Sequence, residues 1–149
     1  MCIYVHLIVF FIFSYLGAIM EHISYYLRGP HSKPKALANP VITGFPLYGI
    51  GAYLVIILDQ VMTSVNILIK FIAFGLVLSI LEYITGLYVG AGPHSSKGDM
   101  VDSWDYSKEP YNLHGIIDLK HFFLWGFLGL IVRLIYPQLT VIITNGLKC

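Results

Sequence analysis

Ile80-Leu81-Glu82-Tyr83-Ile84-Thr85-Gly86 sets a carboxylate inside an otherwise apolar run from about Val65 to Tyr88. A charge there is expensive unless it faces a partner or a water-filled cavity, so an intramembrane carboxylate is a functional-site hypothesis from the outset. Gly75, Ser79, Glu82 and Gly86 recur at steps of three or four, which places small and polar groups on one face of a helix. Small residues let a second helix approach closely, and that neighbour shields the charge from lipid.

The rest of the chain has the composition of a membrane protein. Of its 149 residues 57% are hydrophobic, 15% aromatic and only 11% charged, with a mean hydropathy of +0.76. A net charge of +1 and the lack of a basic cluster exclude a nucleic-acid partner. Gly90-Ala91-Gly92-Pro93-His94-Ser95-Ser96-Lys97 is glycine-rich but lacks phosphate-loop spacing, so the chain carries no nucleotidase engine of its own. Cys2 and Cys149 form no metal-ligand pair and no disulfide framework. No cofactor is implied.

Hydropathy predicts four spans. The first covers about Cys2 to Tyr26; no basic residue precedes it and the apolar run continues past Gly17-Ala18, so a span is expected rather than a cleaved leader. Arg28-Gly29-Pro30-His31-Ser32-Lys33-Pro34-Lys35 stops it. Pro46 precedes a second helix of about Leu47 to Met62, and Asp59 to Asn66 turns into a third of about Val65 to Tyr88. Val89 to Leu113 is a long loop whose Trp104-Asp105-Tyr106-Ser107 suits interfacial contact. The fourth helix is expected from about Gly115 to Tyr136, with Asp118, His121, Trp125, Gly129 and Arg133 on one face, ended or kinked by Pro137 before a short tail. The lysine and arginine balance places both long loops in the cytoplasm and both termini outside.

The halves echo one another. Ile19-Met20-Glu21-His22-Ile23-Ser24 matches Ile80-Leu81-Glu82-Tyr83-Ile84-Thr85 in type, and Gly29-Pro30-His31-Ser32-Lys33 matches Gly92-Pro93-His94-Ser95-Ser96-Lys97. The expected architecture is therefore all-α and polytopic: one integral membrane domain of two repeated helical hairpins, about 1–63 and 64–137, with a tail over 138–149.

This topology gathers Glu21, His22, Tyr48, Glu82, Asn112, His114, Asp118 and His121 toward one leaflet beneath Trp104, Asp105 and Tyr106, with Tyr83 beside Glu82. The candidate binding residues are Glu21, Tyr48, Glu82, Tyr83, Trp104, Asp105, Tyr106, Asn112 and His121. Such a set suits a divalent metal, a proton-bearing acid or relay, or hydrogen bonds to a headgroup or small solute. Against these stands a plainer role, in which each Glu bonds a Tyr, a Ser or a backbone group of the next helix. Asp118 and His121 then read as a helix-start acid and a snorkelling ring, and His31, His94, Asp99 and Asp102 as solvated loop groups. No His-Glu-x-x-His and no nucleophile elbow occurs, so no metal and no catalytic residue is assigned.

Glu21, Pro46-Leu47-Tyr48-Gly49-Ile50-Gly51-Ala52, Leu81-Glu82-Tyr83-Ile84-Thr85-Gly86, Trp104-Asp105-Tyr106-Ser107 and Leu113-His114-Gly115-Ile116-Ile117-Asp118-Leu119 follow in that order. Over most of its length the chain resembles the type IV ABC-transporter (CmpB-like) membrane components, a family that includes the animal transmembrane protein 229 group. The resemblance implies a small multi-pass membrane protein. The expected function is of transport type, or lipid or solute binding, around an intramembrane acidic site. Four spans enclose little volume, so membrane lipids and either a second copy or a partner membrane protein are the expected partners. The alternatives are an integral membrane enzyme acting on a lipid or amphiphile, with Glu82 as acid/base beside His121 or Asp105, and a structural subunit whose Glu residues tie helices together.

Overall fold

The computed structural model describes residues 2–27, 47–89, 91 and 104–148. Both Gly-Pro-His-Ser loops, Pro46, Asp99 and Asp102 lie outside those residues, and so does the side chain of His22. Among the described residues the chain is all-helical: α1 is Ile3–Leu27, α2 Leu47–Val61, α3 Ile67–Val89 and α4 Leu119–Leu147. There is no strand there; one isolated antiparallel bridge joins Leu113 to Ile117. Contacts divide the chain into two units, Met1–Ile57 with Ile131–Cys149, and Leu58–Leu130.

In the first unit Val5, Val9 and Phe13 recur once per turn of α1 and meet Ala52 and Ile56 of α2. Val132, Tyr136, Leu139 and Ile143 of α4 pack against the same cluster. Gly17 receives the ring of Tyr48 so closely that any Cβ there would overlap it. Tyr53 Oη donates to the His6 carbonyl at 2.8 Å, binding α2 to α1 a second time.

The second unit begins with a polar turn. Asn66 Oδ1 accepts the Leu68 amide at 2.8 Å, capping α3. Lys70 Nζ lies 2.5 Å from Asp59 Oδ1. Lys70 is in the first turn of α3 and Asp59 in the last turn of α2, so each charge opposes the dipole of its own helix. Each offsets the other's disadvantage, and Lys70 is 4% exposed. Further along, α3 and α4 interlock, Gly75 lying against Phe122 and Gly126 against Phe71, so neither backbone is held off by a side chain.

Two helix boundaries differ from the sequence expectation. The fourth helix starts at Leu119 rather than near Gly115. His114 and Gly115 take φ of 54° and 66°, and the Leu113 amide donates to the Ile117 carbonyl at 2.8 Å, so this stretch is a turn. Asp118 opens the helix by accepting the His121 amide on Oδ1 at 2.8 Å. The helix then continues through Pro137 to Leu147, so Pro137 does not end it and the residues expected from sequence as a short tail are helical. Proline removes one intrahelical bond, but Tyr136, Leu139 and Ile143 are held by the α1 cluster on both sides of it.

The outer surface decides the solvent. α1, α3 and α4 are long and apolar enough to cross a bilayer, and α2 is a shorter apolar helix. Large apolar side chains point outward along them: Phe11 is 52% exposed and Phe127 58%. Surfaces that apolar are stable in hydrocarbon, not in water. The fold is that of a helical membrane protein.

Candidate functional site

Glu82 is 7% exposed, two-thirds of the way along α3. Its carboxylate is held from two directions. Trp125 of α4 donates its indole N–H to Oε2 at 2.6 Å. Tyr106, from the segment before α4, donates its hydroxyl to Oε1 at 3.3 Å. A buried carboxylate needs such donors, and charge-assisted bonds of this kind are about twice as strong as neutral ones.

The covering segment is built to place Tyr106. Trp104 Nε1 donates to the Ile116 carbonyl at 2.9 Å. The Tyr106 amide donates to the Gly115 carbonyl at 2.8 Å. Asn112 is the hub of the turn: its Nδ2 donates to the Glu109 carbonyl at 2.8 Å and its Oδ1 accepts the Gly115 amide at 2.9 Å. Gly86 completes the seat, because a Cβ there would run into Ile116 and touch Trp104. The Glu-x-x-x-Gly pattern thus joins two needs, a carboxylate to be capped and a helix surface flat enough to admit the cap.

A second pair adjoins the first. His121 Nδ1 lies 2.7 Å from Asp118 Oδ2, with the Asp118 side chain fully buried. The His121 ring stacks on Tyr106 at 4.1 Å and 18°. Tyr106 therefore touches His121 by its face and Glu82 by its hydroxyl. A ring stack passes no proton, so this contact positions Tyr106 and is not a relay.

The other candidates fall elsewhere. Tyr83 Oη is 2.7 Å from His114 Nδ1 at an exposed position. Asp105 is exposed and accepts the Ser107 amide at 2.9 Å. Glu21 and Tyr48 belong to the first unit, where the Tyr48 hydroxyl donates to Glu21 Oε2 at 2.5 Å. Among the described residues no group of three or more His, Cys, Asp or Glu converges as metal ligands do.

Trp125 and the Lys70–Asp59 pair are missing from the sequence candidates. Trp125 shares a helical face with Asp118 and His121, which is a signal; its partner Glu82 is 43 residues away, which is none. Lys70 and Asp59 each put one charge near the end of an apolar helix beside a short turn, and that symmetry is readable.

The elements and their apolar surfaces define a helical membrane protein with a capped, buried carboxylate. More specifically, the chain belongs to the family described as Putative ABC-transporter type IV, whose model matches residues 8–147. No curated protein and no solved structure matches the chain.

Proposed function

We propose that this is a multi-pass membrane protein of transport type or with a lipid- or solute-binding role, and that Glu82 is its central polar group. The observation that carries the reading is the enclosure of Glu82 among apolar helices with an aromatic cap on each oxygen. Nothing in packing alone requires a carboxylate there; a leucine would fill the space without needing donors. The family description supports the transport side of the reading. In the four-span form α2 is the short member: fifteen residues rise only about 22 Å, against a hydrocarbon core of roughly 30 Å. The bilayer thins around it or its flanks carry the remainder. A second copy or a partner membrane protein would supply the walls that four helices lack, and crosslinking in membranes that yields only monomer would count against that.

The test is native mass spectrometry from mild detergent, with Glu82→Gln beside the parent. A lipid or solute that co-purifies with the parent and is lost from an equally folded variant supports the reading. Two equally folded, empty proteins overturn it. That result would favour the second reading, an assembly subunit, which rests on both Glu82 oxygens already taking donors from the chain itself. Under it Glu82→Gln weakens a membrane complex and leaves turnover or transport unmoved.

A further inference from the structure

The C-terminal half of α4 carries two seams. Val132, Tyr136, Leu139 and Ile143 step by four, three and four residues and pack against the cluster that α1 and α2 build. Leu134, Gln138, Val141 and Asn145 step by the same intervals on the opposite side of the helix. Among the described residues nothing covers this second seam: Leu134 is 61% exposed and Val141 59%, and Gln138 and Asn145 are exposed too.

Leucine and valine suit a lipid-facing surface, but two primary amides do not. α4 has 29 residues, and a hydrocarbon core takes roughly twenty. With the span centred on the bilayer those run from about 124 to 143, which sets Gln138 within the hydrocarbon and Asn145 near its edge. Neither side chain is hydrogen-bonded among the described residues, and an amide in hydrocarbon without a partner is costly. Lipid chains would leave both amides unpaired. A second copy of the chain brings the same two amides at the same two depths. Each is donor and acceptor at once, so it pairs with its own image, and a two-fold axis along the bilayer normal sets Gln138 against Gln138 and Asn145 against Asn145. The alternation of four and three is the repeat of a left-handed helix pair, in which a polar residue fixes register and partner number. Beside the seam an open groove of about 450 Å³, lined by Pro137, Gln138, Val141 and Ile142, leaves room for the side chains of a facing helix.

We propose that a second copy of this chain docks on the Leu134–Gln138–Val141–Asn145 seam, α4 against α4 in parallel, with the Gln138 and Asn145 amides bonded across the axis. The inference rests on the multi-pass membrane reading and not on Glu82 as a binding group. Interhelical amide bonds supply the attraction that apolar contact alone does not give between helices in lipid.

The experiment places the full chain in phosphatidylcholine vesicles, with Cys2→Ser and Cys149→Ser as background and one new cysteine at a time. Leu134→Cys and Val141→Cys lie on the seam and keep both amides. Ile135→Cys, also exposed but a quarter turn away, is the control. On mild oxidation the two seam positions are expected to give disulfide-linked dimer about fivefold above the control. Adding Gln138→Leu to Val141→Cys should lower the dimer about tenfold at high dilution in lipid, the worth of an interhelical amide bond. Asn145→Leu, a second surface variant, should lower it by a smaller factor. Glu82→Gln forms the same crosslinks, so loss of the Glu82 reading would not remove this one. Equal crosslinking at 134, 135 and 141 overturns the proposal, because it marks random collision. Monomer at every position overturns it, and so does a dimer undiminished by Gln138→Leu.

Discussion

Glu21 and Glu82 stand in nearly the same local sequence, Ile19-Met20-Glu21 and Ile80-Leu81-Glu82, and in very different surroundings. Glu82 is buried and capped by an indole and a phenol that arrive from α4 and the segment before it. Glu21 is half-buried and accepts the phenol of Tyr48, from the first turn of α2. Both are helix carboxylates met by a tyrosine, and over Glu82 the chain folds a turn of its own that carries Tyr106. At Glu82 the burial of the charge comes from what returns to cover it, which the flanking residues do not reveal.

The largest effect expected from that difference is on Glu82→Leu. It leaves the Trp125 N–H and the Tyr106 hydroxyl without their acceptor in an apolar setting, at a cost of about 4 kcal/mol for the two. Glu21→Leu takes the Glu21 acceptor from one phenol alone and should cost about 1 kcal/mol. Reversible unfolding in mixed micelles measures both. Equal losses would break the comparison.

Lys70 extends it to a buried charge met by a counter-charge. Lys70→Met takes the Lys70 counter-charge from Asp59 at the carbonyl end of α2 and should cost about 3 kcal/mol, as for other broken buried pairs. Lys70→Met with Asp59→Leu should recover most of that, because it removes the charge that Lys70→Met leaves uncompensated. Glu82→Leu with Trp125→Phe should recover less, since Tyr106 still lacks its acceptor. A double-mutant cycle separates the cases.

Gly86 and Gly17 compare the seats themselves. Gly86→Val presses on Ile116 and should lift the cap, costing about 2 kcal/mol. Trp104 fluorescence should then shift to the red as its indole loses the Ile116 carbonyl. Gly17→Val presses on the Tyr48 ring at comparable cost and should leave Trp104 unmoved. A Trp104 shift in both variants would show that the cap depends on more than Gly86.

How far these arrangements were legible depends on where their information lies. The apolar runs and the turn at Asn66 mark α1, α2 and α3 within a residue or two, because lipid-facing surface is a local property of the sequence. The start of α4 is misjudged because Gly115-Ile116-Ile117 is as apolar as a helix, while a left-handed turn and the Asp118 cap decide otherwise. Its end is misjudged because packing outweighs the helix-breaking tendency of Pro137. Glu82 stands out as a charge in an apolar run. Its donor Trp125 reads as one more interfacial aromatic until the fold brings the two together. Likewise Ser79 reads as a small residue on a packing face; only the structure shows a hydroxyl with no partner.

The smallest effects test the two phenols directly. The Tyr48 hydroxyl meets Glu21 at 2.5 Å and the Tyr106 hydroxyl meets Glu82 at 3.3 Å. Bonds to a carboxylate weaken as they lengthen, and Glu82 keeps its indole donor when Tyr106 is trimmed. Tyr106→Phe also keeps the ring that stacks on His121, so the cap stays seated. Tyr48→Phe should therefore cost about 1.5 kcal/mol and Tyr106→Phe about 0.5 kcal/mol. The order matters more than the sizes. If Tyr106→Phe proves the costlier, its hydroxyl rather than the Trp125 indole is the principal donor to Glu82. The enclosure of that carboxylate would then depend on the loop instead of the helix.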